Sequence, residues 1–328
     1  MKFLILGYSS IVRRRVIPSL ASIGLVENID IASRSSCKRV SLPMPLTGEV
    51  FSDYIEALNR SDADIVYVSG INRQHGKLVE AALNRNFHVI VDKPSVTDKD
   101  LLYRLVDLAS KKNLCLAESI VYPYHPQIKE VKNIFRSANS KPCRLTTCFL
   151  IPDLNPGNFR YRYECDGGAL WDMGPYAVSI GKVFFDSDPI EIHAVVTDLG
   201  SSRKMVVDTA FSVLMLYRDG QSMVGHFGFG SEYRNTVSLY GKDLLVEMDR
   251  VYTIPADMEN VLTVRISNKI QEKRIASSDC FSEFFYCVLD AVRSGKFNDF
   301  SVTMLENMNN VEFLRRAVLT DGHSTRLN

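Results

Sequence analysis

The chain has 328 residues, 46% of them hydrophobic, and a formal net charge of +1. This length favours two domains, and the near-neutral charge gives no bulk reason to expect nucleic acid or a membrane as a partner. Seven cysteines without a C-x-x-C pair argue against a disulfide framework or a metal site and favour a reducing cytoplasm. The apolar start, Met1 to Leu6, is too short for a signal sequence, and no apolar run is long enough to span a bilayer.

Short apolar runs alternate with helical patterns in the first third of the chain. Strands are predicted at FLIL, NIDIAS, DIVYVS, HVIV and LCLAE, and helices at IVRRRVIPSLASIG, DYIEALNR, QHGKLVEAALNRN and DKDLLYRLVDLASKKN. Such strands, apolar on both faces, belong in a parallel sheet that helices cover. We therefore predict an α/β fold with an N-terminal doubly wound (Rossmann) sheet, in a dinucleotide-binding domain over residues 1–121.

The pattern changes after Glu118. From Arg144 to Glu247 most segments are strand-like, and turn signals such as RDGQ and YGKD separate them. One helix, GGALWDMGPYAVSIGKVFF, interrupts the strands, and two more are predicted at about 282–294 and 302–318. This pattern predicts a second domain, 122–328, of α+β type with a large, mostly antiparallel open sheet.

The first strand leads into the turn GYSS, where a dinucleotide-binding fingerprint normally reads G-x-G-x-x-G/A. Gly7 permits the tight turn, while Ser9 and Val12 stand where the second and third small residues belong. The hydroxyls of Ser9 and Ser10 could donate to phosphate oxygens, and the helix that begins near Ile11 directs its N-terminal N–H groups to the same place. An ordinary strand–turn–helix unit is the alternative, and the turn alone does not decide between them.

The end of the second strand bears on the choice of cofactor. In an NAD-binding domain this position usually carries an acid that holds the ribose 2′-hydroxyl. Here Ser33 and Arg34 take its place, followed by Lys38 and Arg39. A serine and a guanidinium would bind a 2′-phosphate, and Arg34 could also stack on adenine. A solvated basic loop is the alternative, but together with Gly7 the segment favours NADP, with NAD as second choice.

Five segments, in this order along the chain, resemble the glucose–fructose oxidoreductase / inositol dehydrogenase (Gfo/Idh/MocA) family: GYSSIVRRRVIPSL, INRQH, VDKPSVTD, YPYHPQ and GGALWDMGPYAVS. The most specific parts are the Lys93-Pro94 pair and the D-x-G-x-Y helix. The resemblance implies a nucleotide-binding domain followed by an open, mostly antiparallel sheet. Because the outer face of that sheet is often a subunit interface in the family, it also implies a homodimer or homotetramer.

The chain departs from the family pattern at three positions. Asp92 stands where the family usually has Glu before Lys-Pro, and Tyr176 stands where the helix often has His. The tyrosine variant looks like the branch that contains glucose–fructose oxidoreductase, dihydrodiol dehydrogenases and keto-sugar reductases of deoxysugar synthesis. Pro123 replaces an arginine that is common before the aromatic-His-Pro run, which puts any role of that arginine in doubt here.

Tyr176 and Lys93 could manage the proton that accompanies hydride transfer. A tyrosine with a pKa of about 10 is a weak acid at neutral pH, and a neighbouring ammonium makes the phenol a better acid. We expect Lys93, at the carboxyl end of a sheet strand, to be this neighbouring ammonium and also to hydrogen-bond the substrate. Asp172 precedes Tyr176 by one helical turn and could hold a substrate hydroxyl or orient Lys93. Taken singly, a surface lysine and a helix-surface Asp/Tyr pair are the ordinary alternatives.

The resemblance adds further cofactor contacts. Asn72 and His75 resemble the family's N-x-x-H, with Asn72 near the nicotinamide ribose and His75 either at the cofactor or only tying the loop down. Arg160 could reach cofactor or substrate, and a plain loop arginine is the alternative. In full, the expected cofactor-binding residues are Gly7, Ser9, Ser10, Ile11, Ser33, Arg34, Lys38, Asn72, His75, Lys93, Pro94, Glu118 and Arg160.

These features make an NAD(P)-dependent dehydrogenase or reductase the leading hypothesis. It would use NADP and act on a small polyhydroxylated substrate, with a keto-sugar reductase for a nucleotide-linked sugar as the first choice. One alternative is a catalytically silent NADP-binding regulator or scaffold, which the altered glycine turn favours and the intact Lys93, Asp172 and Tyr176 oppose. The other is a reductase of a non-sugar carbonyl or a linear tetrapyrrole.

Overall fold

The computed structural model describes residues 1–34, 40–200 and 207–321. These residues form two compact units, one of 1–121 with 281–305 and the other of 122–280 with 306–321. The predicted first domain ended at residue 121, and the structure adds the later segment 281–305 to it. Among the described residues, no helix is long and apolar enough to cross a membrane.

The first unit is built on a six-stranded parallel sheet, as the apolar runs predicted. The strand order is β3-β2-β1-β4-β5-β6, with β1 at Lys2–Leu6, β2 at Asn28–Ala32, β3 at Val50–Phe51, β4 at Ile65–Val68, β5 at His88–Val91 and β6 at Leu116–Glu118. Strands β1, β4 and β5 are almost wholly buried, so the sheet is covered on both faces. The doubly wound prediction is confirmed, and only the two-residue β3 had no pattern of its own.

Two helices of this unit begin at aspartates whose side chains cap them. A π-helical turn, Val12–Val16, leads into α1 (Ile17–Ser22). Helix α2 (Tyr54–Arg60) is capped by Asp53 and α4 (Lys99–Lys111) by Asp98. Helix α3 (Asn72–Asn84) follows β4 after a short loop. Strands β1, β3, β4 and β5 each lead towards a helix, and predicted cofactor residues lie in the segments that follow β1, β2 and β5.

The segment 281–305 joins the first unit through aromatic packing. Phe285 lies edge-on to Phe3 at 6.4 Å and to Tyr67 at 5.9 Å between ring centroids. Ser301 adds a hydrogen bond to the carbonyl of Leu116. Burial of such rings is worth about 1.5–3 kcal/mol each, which explains why a segment so late in the sequence belongs to the first sheet.

The second unit contains an eight-stranded sheet in the order β14-β13-β12-β11-β7-β10-β9-β8. The β7/β10 pair is parallel and the other neighbours are antiparallel, which confirms the mostly antiparallel prediction. The strands are β7 (Arg144–Ile151), β8 (Glu191–Gly200), β9 (Val207–Leu216), β10 (Ser222–Phe229), β11 (Arg234–Gly241), β12 (Leu244–Asp249), β13 (Asn260–Ile266) and β14 (Lys269–Ile275). Strands β13 and β14 lie beyond the predicted strand region.

The described residues contain five further α-helices: α5 (Pro126–Ser137), α6 (Ala169–Asp172), α7 (Gly174–Phe185), α8 (Cys280–Ser294) and α9 (Asn298–Asp321). Helix α5 was not predicted. The single helix predicted over GGALWDMGPYAVSIGKVFF is two helices, because the chain breaks at Met173 before Gly174 and Pro175. This break separates Asp172, the last residue of α6, from Tyr176 in the first turn of α7.

Candidate active site

Gly7 begins the turn after β1, and only glycine fits there. Its φ is +108°, and a Cβ on this residue would lie 1.6 Å from the carbonyl oxygen of Ser69. Its backbone N–H donates to the carbonyl of Ala32 at 2.9 Å. The chain therefore keeps the close strand-to-strand approach that a dinucleotide turn requires.

The Ser9 hydroxyl is engaged inside the protein. Its Oγ lies 2.9 Å from the Oγ of Ser69 and accepts a hydrogen bond from the N–H of Val12 at 3.2 Å. Ser9 thus caps the first helical turn, as serine commonly does. Ser10, by contrast, is exposed, and Ile11 has helical backbone angles. The turn therefore presents the N-terminal N–H groups of the helix and the exposed side chain of Ser10.

At the end of β2, Ser33 and Arg34 differ sharply in exposure. Ser33 is 3% exposed, and its N–H donates to the carbonyl of Phe51. Arg34 is exposed, and its guanidinium carbon lies 4.7 Å from the ring centroid of Tyr54. Hydrogen bonds from the N–H groups of Glu56 and Ile55 lower the pKa of Asp53, with the charge of Arg34 as a smaller cause. Lys38, the other predicted contact, lies outside the described residues.

The segment from Asp92 to Ser95 carries Lys93 and is held at several points. The carboxylate of Asp92 accepts hydrogen bonds from the hydroxyls of Tyr67, Ser69 and Ser119. The N–H of Ser95 donates to Glu118 at 2.7 Å. Lys93 itself is half-buried. Glu118, predicted as a cofactor contact, therefore supports the loop that presents Lys93.

Asn72 and His75 lie in the first turn of α3, and both are buried. The Nδ1 of His75 lies 2.8 Å from the carbonyl oxygen of Pro94, so the neutral ring donates from Nδ1. Burial lowers the pKa of His75, while the carbonyl of Pro94 and the charge of Asp92 oppose that shift. His75 thus ties down the Lys93 loop, the simpler of the two roles that the sequence suggested.

In the second unit, Asp172 is paired with Arg160. The Nε of Arg160 lies 2.9 Å from Oδ1 of Asp172, and Asp172 is only 7% exposed. The short helix α6 that carries Asp172 is capped by Asp208, whose carboxylate accepts the N–H of Leu170 at 2.5 Å. Burial raises the pKa of Asp208. Two carboxylates and one guanidinium therefore set the position of α6.

Tyr176 belongs to a cluster of four aromatic rings. Its centroid lies 6.0 Å from Tyr122, 5.3 Å from Phe149 and 5.3 Å from Tyr252. Tyr122 and Tyr252 are fully buried, their hydroxyls are bonded to Ser179 and Thr147, and burial raises the pKa of both phenols. Tyr176 is half-exposed, so it is the tyrosine of this cluster whose ring is accessible for chemistry.

Tyr54, Ser69 and Asp208 are candidate functional residues that the sequence analysis did not name. Asp208 lies in a strand 38 residues from the amide that it caps, so no local pattern marks it. Ser69 is the last residue of the predicted strand DIVYVS, a position that could have been singled out. Within the described ranges there is no group of three or more His, Cys, Asp and Glu side chains that could hold a metal ion.

These features define a two-domain, Rossmann-type oxidoreductase: a parallel sheet with the Gly7 turn, a Lys93 loop held by several hydrogen bonds, and the two helices that carry Asp172 and Tyr176. The model of the GFO_IDH_MocA oxidoreductase family, NAD-binding Rossmann fold, matches residues 1–119, and the GFO/IDH/MocA C-terminal domain matches 139–246. The chain belongs to the Gfo/Idh/MocA family.

Individual relatives are similar over most of the chain. The dTDP-3,4-didehydro-2,6-dideoxy-alpha-D-glucose 3-reductase of Saccharopolyspora spinosa is 30% identical over 282 residues, 84% of this chain and 82% of the relative. The NADP(+)-dependent D-xylose 1-dehydrogenase 2 of Haloferax volcanii is 25% identical and covers 90% of each chain. Among solved structures, a 3-ketoreductase from Actinomadura kijaniata in complex with NADP and TDP-benzene has a TM-score of 0.88 with 27% identity, over 97% of both chains.

Proposed function

We propose that the protein is an NADPH-dependent reductase of a keto group on a nucleotide-linked sugar. The observation that carries the proposal is the Asp172–Arg160 ion pair at the end of α6, just before the helix that carries Tyr176, in a chain 30% identical to a dTDP-sugar 3-reductase over most of its length. Such a pair offers a carboxylate and a guanidinium to a substrate rich in hydroxyl groups.

The residues of the first unit fit a dinucleotide. Gly7 permits the tight turn after β1, because a Cβ there would overlap the carbonyl oxygen of Ser69, and the helix N-terminal N–H groups after it suit a pyrophosphate. The exposed guanidinium of Arg34 suits the 2′-phosphate of NADP. When bound, the nicotinamide supplies or accepts the hydride.

The protein's own task is to place the reacting carbonyl and to deliver one proton. In our proposal Tyr176 donates the proton from its phenolic oxygen to the developing alkoxide, and Lys93 stabilises the phenolate that remains. Asp172, fixed by Arg160, holds a sugar hydroxyl and so orients the ring. General acid–base groups of this kind contribute about 10²–10⁴-fold to the rate.

Titration with NADPH followed by turnover tests this function. We expect the purified protein to bind NADPH more tightly than NADH and to oxidise it in the presence of a TDP-linked keto-deoxysugar. A protein that binds NADPH tightly but oxidises none of it, with keto sugars free or nucleotide-linked, would be a silent regulator instead. Oxidation of NADPH with a linear tetrapyrrole, and not with a keto sugar, would make it a non-sugar reductase.

We also propose that the protein forms a homodimer or homotetramer through the outer face of the eight-stranded sheet and works in the cytoplasm. That face exposes apolar side chains on several strands, among them Val195, Leu214, Val224, Tyr240 and Val261, which a second copy could cover. The six cysteines in the described part of the chain are all free thiols, as a reducing compartment would keep them. Light scattering at two protein concentrations tests the assembly.

A further inference from the structure

Ser69 stands between the cofactor turn and the loop of Lys93. It follows β4, the strand that lies between β1 and β5 in the sheet. Its N–H donates to the carbonyl of Leu6, the last residue of β1, and the N–H of Asp92 donates to the carbonyl of Val68. The strands on either side of Ser69 therefore lead directly into Gly7 and into Asp92.

The Ser69 side chain is 1% exposed, and its hydroxyl makes two side-chain hydrogen bonds. It donates to Oδ2 of Asp92 at 2.5 Å, and it lies 2.9 Å from the Oγ of Ser9. A hydroxyl has a single proton, and a carboxylate can only accept. The Ser69 proton therefore goes to Asp92, and Ser69 must accept from Ser9.

Because each hydroxyl has one proton to donate, the directions of the other hydrogen bonds in this series follow as well. Ser9 gives its proton to Ser69, so it meets the N–H of Val12 as an acceptor, at 3.2 Å. All the donors point one way, from Val12 through Ser9 and Ser69 to Asp92. In this arrangement the Ser9 hydroxyl has no second proton for a phosphate oxygen, so its contribution to the turn is to shape it.

Asp92 has two other hydroxyl donors, Tyr67 and Ser119, both on its Oδ1. Ser119 is buried, like Ser69, but no bond connects it to Ser9 among the contacts described. The two serines thus differ in one respect that matters: only Ser69 connects the Asp92 carboxylate to the cofactor turn. They form a matched pair for experiment.

We propose that Ser69 is a positioning residue that couples the cofactor turn to the placement of Lys93, through the hydrogen-bond chain Ser9–Ser69–Asp92. The proposal rests on the proposed function, because it assigns the turn to NADPH and Lys93 to the reaction. Ser69 itself need touch neither cofactor nor substrate. Through the Ser69 hydroxyl, a change at the cofactor turn alters the position of Asp92, and a change at Asp92 alters the cofactor turn.

The test compares serine-to-alanine variants in NADPH affinity and in kcat at saturating NADPH. Ser69→Ala is expected to raise the Kd for NADPH and to lower kcat, each by about 3- to 10-fold, the effect of one lost hydrogen bond. Ser119→Ala should lower kcat alone. Ser9→Ala should lower kcat even when NADPH is saturating, and the double Ser9→Ala/Ser69→Ala variant should be no slower than Ser69→Ala.

Two results would overturn the coupling. One is a Ser9→Ala variant with the parent kcat at saturating NADPH. The other is a double variant whose loss in kcat equals the product of the single losses. If Ser69→Ala does not fold, Ser9→Ala alone still decides, because among the contacts described the Ser9 hydroxyl is linked to Asp92 through Ser69.

Hydrogen exchange without cofactor separates this proposal from the proposed function. Ser9→Ala should speed the exchange of the backbone amides between Asp92 and Val96 by about 3-fold or more, while Ala at the exposed Ser10 should not. A parent protein that binds no NADPH refutes the proposed function, yet this exchange pattern still supports the coupling. Unchanged exchange in Ser9→Ala, in a protein that reduces its substrate normally, refutes the coupling alone.

Discussion

The guanidinium of Arg160 and the carboxylate of Asp172 form an ion pair of 2.9 Å in which the aspartate side chain is only 10% exposed and the arginine 29%. Replacing Arg160 with Met would leave a nearly buried carboxylate without this partner. Loss of a buried pair costs about 3–5 kcal/mol, and the partial exposure of the arginine reduces the expected loss to about 1–3 kcal/mol. Urea unfolding measures it, and KM for the sugar substrate should rise.

Arg162→Met is the matched control for that change, since Arg162 is an exposed arginine two residues away. It should leave both the unfolding free energy and KM close to those of the parent. Equal effects of the two variants would mean that the loop as a whole, and not the pair with Asp172, matters.

Tyr176 and Lys93 should act together in the proton step. Tyr176→Phe keeps the ring among its aromatic neighbours and removes only the hydroxyl, so kcat should fall by about 10²–10⁴-fold with NADPH affinity nearly intact. Lys93→Met should cost at least as much, because it removes both a charge and a substrate hydrogen bond. Steady-state kinetics of the single and double variants measure both effects.

The double variant Tyr176→Phe/Lys93→Met should be less impaired than the product of the single losses, because the two groups act as a unit. Losses that multiply would show that phenol and ammonium act independently. Full activity in Tyr176→Phe would leave Lys93 as the proton donor.

Arg34 should select NADPH over NADH. Arg34→Asp removes a charge-assisted hydrogen bond and adds repulsion, so NADPH should bind about 10- to 100-fold more weakly, while the affinity for NADH changes little. Tyr54→Leu removes the ring beneath the guanidinium and should cost about 2- to 5-fold in NADPH affinity. Isothermal titration with both cofactors measures the ratio. Parent-like affinity in Arg34→Asp would show that Arg34 does not bind the 2′-phosphate.

The buried His75 should make stability fall on the acid side of neutrality. Its pKa lies below the ordinary 6.5 because burial disfavours the charged ring. Between that lowered pKa and 6.5 the unfolded chain binds more protons than the folded one, so the unfolding free energy decreases as the pH falls through this window. Asn at position 75 could still donate to the carbonyl of Pro94 but does not titrate, so His75→Asn should show a shallower slope.

Urea unfolding at several pH values between about 5 and 8 measures that slope. His125 also has a pKa lowered by burial, so some slope should persist in His75→Asn. A slope unchanged in His75→Asn would mean that the acid sensitivity has another source.

The fold class and several individual residues were predictable from the amino-acid sequence. Short strands apolar on both faces admit few arrangements other than a covered parallel sheet, so β1, β2, β4, β5 and β6 were all predictable. Gly7 was predictable too, because a tight turn after a strand demands the backbone freedom of glycine. The D-x-G-x-Y pattern singled out Asp172 and Tyr176, but the spacing expected within one helix is interrupted by the break at Met173.

How those residues are held depends on contacts between distant parts of the chain. Ser9 and Ser69 are 60 residues apart in sequence, Leu170 and Asp208 are 38 apart, and Phe285 packs on Phe3 across almost the whole chain. Local periodicity and capping patterns extend over a few residues and contain no information about such partners. The sequence around a serine or an acidic residue does not show whether its side chain binds a ligand or a distant part of the protein. The roles of Ser9, Glu118 and Asp208 therefore depend on neighbours that only folding brings together.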